Sequence, residues 1–148
     1  MKTINTAIKP TTMSQHQQLL TLWDKTIDAI ARYFTETQLN QLETLYIQHR
    51  YFEHLNLFHI EIGSSIAGFI GLMHDKIEIL MVSPEFMRQG VATQLIHHAI
   101  EMGSTYVDVN ENNALAYHFY LQQGFEPFAR SEFDSEGYPN PILHLHIK

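Results

Sequence analysis

The chain has 148 residues, 45% hydrophobic and 17% charged, which suits one domain spanning 1–148 that buries roughly two-thirds of its unfolded surface. A net charge of -7, with nine Lys and Arg spread along the chain, argues against a nucleic-acid partner and would suit a cationic one. Without cysteine there is no disulfide, thiolate metal site or cysteine acyl-enzyme; without a long apolar run or an apolar leader, the expected location is cytoplasmic, with no membrane partner.

Residues 4–9 read as a first strand. Ser14 with Gln17 makes a capping-box start for a helix that Leu19, Leu20, Trp23, Ile27, Ile30, Ala31 and Phe34 continue at helical spacing. Thr35 with Gln38 repeats that signal, and Leu39, Leu42, Leu45, Tyr46 and His49 line a second helix. Residues 55–62 and 66–73 are then two strands joined by the turn Gly63-Ser64-Ser65, and residues 77–82 a fourth. Next comes a short loop with one glycine, Gly90, and a helix whose stripe is Val91, Ala92, Leu95, Ile96, Ala99 and Ile100, closed by Gly103. A strand at 105–109, a helix at 113–123 and a strand pair at 125–133 and 142–147 complete the chain, the pair joined by a loop. Strand and helix alternate in this half, which argues for a partly parallel mixed sheet with helices on its faces.

The glycine loop is the first chemical signal. Residues there stand at a helix N-terminus, where unpaired N–H groups and the positive end of the helix dipole favour a phosphate, and Gly90 and Ala92 are small enough to let it approach. Arg88, one residue into the loop, offers a positive charge or is a solvated surface residue. Ten histidines raise a metal site as a further possibility, but adjacent His97 and His98 diverge on a helix. His144 and His146 share a strand face and need further ligands, so a solvent-facing stripe is the better account and no metal is expected.

The segment Asn113-Ala114-Leu115-Ala116-Tyr117-His118-Phe119-Tyr120-Leu121-Gln122-Gln123-Gly124-Phe125 resembles the GNAT N-acetyltransferases, whose corresponding helix often reads Asn-x-x-Ala-x-x-Phe-Tyr-x-x-x-Gly-Phe. Their pyrophosphate loop is written (Gln/Arg)-x-x-Gly-x-(Gly/Ala); Gly90 and Ala92 match it, and Met87 replaces its first residue. The likeness runs from about Ser14 to the C-terminus, and residues 108–113 with 135–139 look like one subgroup of small bacterial members. It implies an α/β GNAT fold: a mixed, mostly antiparallel sheet of six to seven strands, with a central parallel pair splayed to admit pantetheine and helices on both faces.

The resemblance also implies an enzyme that moves acetyl from acetyl-CoA to a primary amine of a small molecule or peptide by direct attack. Arg88, Gln89, Gly90, Val91, Ala92, Thr93 and Asn113 would hold the cofactor, Met81 and Val82 would flank its thioester, and a backbone N–H near Val82 would hold the oxyanion. Tyr120 corresponds to the family tyrosine that protonates the departing thiolate. Glu78, the one charged residue within 77–82, is the candidate general base; otherwise it faces solvent or pairs with Lys76, and His74 is the reserve base. A noncatalytic acyl-CoA-binding regulatory module and a toxin acting on aminoacyl-tRNA are the alternatives. The acceptor is not legible, and a homodimer stays open.

Overall fold

A computed structural model describes residues 8–33, 35–37, 39, 40, 49–135 and 137–148. Seven strands form one sheet: β1 (Ile8–Pro10), β2 (Asn56–Ile62), β3 (Ser65–Met73), β4 (Lys76–Val82), β5 (Tyr106–Asn110), β6 (Phe125–Ser131) and β7 (Ile142–Ile147). Their spatial order is β1-β2-β3-β4-β5-β7-β6. Every neighbouring pair is antiparallel except β4 and β5. That parallel pair needs a crossover, and helix α2 (Val91–Glu101) supplies it.

Helix α1 (His16–Ile30) lies on one face of the sheet, with Leu19, Leu22 and Trp23 packed among Leu57, Phe69 and Phe52. On the other face α2 and α3 (Ala114–Gln122) enclose Ile60, Ile70, Leu95, Val107, Phe125 and Leu145. Phe69 and Ile70, adjacent on β3, enter opposite cores, as the two-residue period of a strand requires. The mixed sheet, its central parallel pair and the helices on both faces agree with the expected architecture.

Three boundaries differ from the sequence reading. The capping box sits two residues early: the Gln15 side chain accepts from Thr12 N–H at 3.0 Å, and a 3-10 turn Met13–Gln15 precedes α1. α1 gives way to a second 3-10 turn at Ala31–Tyr33 instead of running on. β6 ends at Ser131, because Asp134 bonds the Tyr138 N–H at 3.0 Å and the Asn140 side chain at 2.9 Å, turning the chain into the loop before β7. The expected start of the first strand at 4–7, Phe34, and the expected second helix over 41–48 lie outside the described residues; a 3-10 helix, His49–His54, follows.

One irregularity shapes the centre of the sheet. Gly71 pairs with Ile79 and Leu72 with Ile77, so Glu78 is an extra residue on β4. Ile77 therefore packs on the α2–α3 side and Ile79 on the α1 side, although two residues apart they would share a face in a regular strand. β4 pairs with β5 only at Lys76↔Tyr106 and Ile77↔Val107, just before this bulge. Beyond it the two strands part.

Glycine sets how closely the layers approach. A Cβ on Gly68 would stand 2.8 Å from Val91 Cγ1, at the first turn of α2, and 2.9 Å from the Met81 carbonyl oxygen. The carbonyl belongs to a paired strand and cannot yield. Gly68→Ala is therefore expected to cost about 1–3 kcal/mol of stability through overpacking, read as a lower urea midpoint at unchanged m value; an unshifted midpoint would show that both α2 and the β3–β4 pair can give way to the added methyl.

Candidate active site

The parting of β4 and β5 opens a cleft of about 720 Å³. Its walls include Glu78, Met81 and Val82 from β4, Arg88, Gly90, Val91, Ala92 and Thr93 from the loop and start of α2, and Asn113 and Tyr120 from α3. Gln89 is the one expected site residue that the cleft does not include: its side-chain amide turns back to donate to the Glu85 carbonyl at 3.2 Å. His74 sits exposed at the β3–β4 turn with φ 55° and is not part of the cleft wall. A base is therefore better sought on β4.

The loop before α2 places Arg88 at φ 64° and Gly90 at φ 85°, two left-handed residues in three. Glycine adopts this conformation freely, whereas arginine is held in it at a cost. Gly90 is the N-cap, and no side chain caps the helix. The N–H groups of the first turn thus begin without a capping acceptor at the edge of the cleft, as an anion site requires.

Asn113 caps α3, its Oδ1 accepting from Ala116 N–H at 3.1 Å. It also lines the cleft, so the capping role leaves its side-chain amide nitrogen for other use. Tyr120 lies almost wholly buried, 6% exposed, between Phe119 and Phe125 with edge-on ring contacts at 5.3 and 5.6 Å. Burial disfavours the phenolate and pushes its phenol well above the ordinary value.

Glu78 retains 26% side-chain exposure. Lys76 Nζ lies 4.0 Å from Glu78 Oε2 but only 2.7 Å from Asp108 Oδ2, so the lysine's close partner is Asp108. Burial opposes the charge on Lys76, yet the hydrogen bond and charge of Asp108, with Glu78 behind, outweigh it and raise the ammonium's pKa. Burial likewise opposes ionised Asp108; hydrogen bonds from Lys76 and His144 and their charges prevail, holding the carboxyl below its usual value.

His144 Nδ1 lies 2.7 Å from Asp108 Oδ1, and its Nε2 lies 2.7 Å from Ser131 Oγ. His146 instead approaches Glu126 at 3.3 Å. The two histidines thus have separate carboxylate partners, and among the described residues no three of His, Asp and Glu gather as a metal site.

Asp108 and Thr26, both in the cleft wall, were not singled out from sequence. Asp108 had a signal in the alternation Tyr106, Asp108, Asn110 against buried Val107 and Val109. Thr26 had one as a polar residue within the stripe of α1.

A model of the acetyltransferase (GNAT) domain matches residues 53–127. The chain belongs to the GNAT family. It is accordingly an acyltransferase of the N-acetyltransferase class. It is 29% identical to the peptidyl-lysine N-acetyltransferase YjaB of Salmonella typhimurium, over 89% of this chain and 93% of that one. The solution structure of apo-form YjaB from Escherichia coli is similar at 27% identity and TM-score 0.81, covering 95% of both chains. The PaiA N-acetyltransferase of Thermoplasma acidophilum, crystallised with coenzyme A, shares the fold at TM-score 0.71 and 14% identity, over 95% of this chain and 98% of that one.

Proposed function

We propose that this GNAT protein transfers the acetyl group of acetyl-CoA to the primary amine of a peptidyl lysine or a small molecule by direct attack in a ternary complex. One observation carries the reading: a single cleft unites an uncapped helix start, the strand edge that β5 leaves unpaired, Tyr120 and the Glu78 carboxylate. The YjaB relatives, named for peptidyl lysine, and the net charge of -7 support a cationic acceptor.

In this reading the pyrophosphate meets the N–H groups of Gly90 to Thr93, with Arg88 adding positive charge. The pantetheine amides take the place of a strand beside Met81 and Val82. An acceptor ammonium with a pKa near roughly 10.4 must lose a proton before it can attack; Glu78 takes it, directly or through a water. The nitrogen lone pair forms the new C–N bond, and the oxyanion is held by a backbone N–H near Val82. Collapse breaks the C–S bond, and Tyr120 donates its hydrogen bond, then its proton, to the departing sulfur; the attacking nitrogen gives up its second proton to water as the neutral amide forms, and the Tyr120 phenolate regains one from water.

The decisive experiment combines acetyl-CoA calorimetry with CoA release over blocked lysine peptides and small primary amines, with mass spectrometry of the product. Binding without release would mark a noncatalytic acyl-CoA module. Gly90→Asp puts a carboxylate at the phosphate site and is expected to reduce acetyl-CoA affinity severely in a folded protein; unchanged affinity would move the cofactor elsewhere.

Glu78→Gln keeps the shape and removes the base. Turnover is expected to fall roughly 100-fold at neutral pH and to recover partly at higher pH as free amine accumulates; a pH profile like the parent's would exclude the role. Tyr120→Phe keeps the ring contacts and deletes only the hydroxyl, so kcat should fall with little change in acetyl-CoA affinity or stability. Normal turnover under rate-limiting chemistry would leave Tyr120 as a packing residue.

A further inference from the structure

Thr26 lies on α1 and is 4% exposed. A helical threonine usually satisfies its hydroxyl by donating to the carbonyl four residues back, as Thr21 does to Gln17 at 3.0 Å. Thr26 does not: its Oγ1 is buried and has no hydrogen-bond partner. A buried hydroxyl without a partner destabilises a fold, and valine would fill the same space without that penalty. Among the described residues, His98 Nε2 and Ser104 Oγ share this condition, but of the three residues Thr26 alone lines the cleft.

Its position indicates what the hydroxyl is for. Ile27, beside it in the cleft wall, packs in one core with Ile79 and Met81, so this part of α1 faces the half of β4 that follows the bulge. The helix start, Asn113 and Tyr120 belong to α2 and α3 on the opposite face of the sheet. With the acetyl donor's phosphates and sulfur assigned to that face, the α1 side of the opening, with Glu78, is left to the acceptor.

A neutral amine poised to attack has one lone pair and N–H bonds that need acceptors. Glu78 takes one proton. We propose that Thr26, whose side chain has two accessible χ1 rotamers in a helix, rotates its Oγ1 into the cleft when the acceptor enters, accepts a hydrogen bond from the amine and so turns its lone pair towards the thioester. This inference rests on the acetyl-transfer reading above, and it makes Thr26 a substrate-binding residue that the fold keeps at a cost in stability.

Thr26→Val and Thr26→Ser test it, with a blocked lysine peptide or small amine that the parent protein acetylates. The valine variant should match or exceed the parent in thermal stability and keep acetyl-CoA affinity, while kcat/KM for the acceptor falls about tenfold, the equivalent of about 1.4 kcal/mol. Serine, which restores the hydroxyl, should stay within about twofold of the parent and remains informative if the valine variant misfolds. Parent-like acceptor kinetics in the valine variant, or an equal loss in the serine variant, would overturn the role of Thr26 and leave acetyl transfer standing. Failure of the parent to acetylate any peptide or small amine would overturn acetyl transfer itself, and this inference with it.

Discussion

Pairing between β4 and β5 stops after Ile77 because β4 carries, at Glu78, one residue more than β3 can match. A bulge bends its strand and increases the local twist. Here that bend separates two parallel strands that would otherwise close a continuous sheet. The backbone groups of β4 that would have bonded to β5 are left for another partner, and a buried amide without one is costly. The cleft in the middle of the sheet thus exposes an unpaired stretch of strand edge.

The bulge also fixes which side chains meet in the opening. Ile77 and Ile79 go to opposite cores, anchoring the strand on both faces while it turns. Glu78 lies between them at the point of divergence, half-buried. Lys76 serves both carboxylates, Asp108 at 2.7 Å and Glu78 at 4.0 Å, and is held chiefly by the nearer one. His144 and Ser131 extend the same polar chain away from the cleft.

The helix that returns the chain from β4 to β5 meets a second constraint. Gly68 leaves just enough room for Val91 to seat α2 against the sheet, and the loop before it reaches that seat through left-handed Arg88 and Gly90. Strain of this kind persists where packing on either side overdetermines the backbone. It leaves the first N–H groups of α2 at the rim of the cleft, on the face that α3 shares with Asn113 and Tyr120.

Much of this was legible from residue order. Apolar alternation placed β2 to β5 within a residue or two, the stripe Val91, Leu95, Ile96, Ala99 marked α2, and the spacing from Asn113 to Gly124 marked α3 and its tyrosine, because these signals are local and repeat along one element. Residues whose surroundings come from distant segments were not. The bulge at Glu78 depends on register with β3, the turning back of Gln89 on the Glu85 carbonyl, and the tie of Asp108 to Lys76 on a strand about thirty residues away. The unpaired hydroxyl of Thr26 is equally invisible in sequence, since local spacing supplies it with a carbonyl that the folded helix does not use. Composition and period therefore determined which elements form and which faces they bury; the tertiary structure alone decided where the sheet opens and which polar atoms it leaves without a partner, because both are set by contacts between strands and helices far apart in the chain.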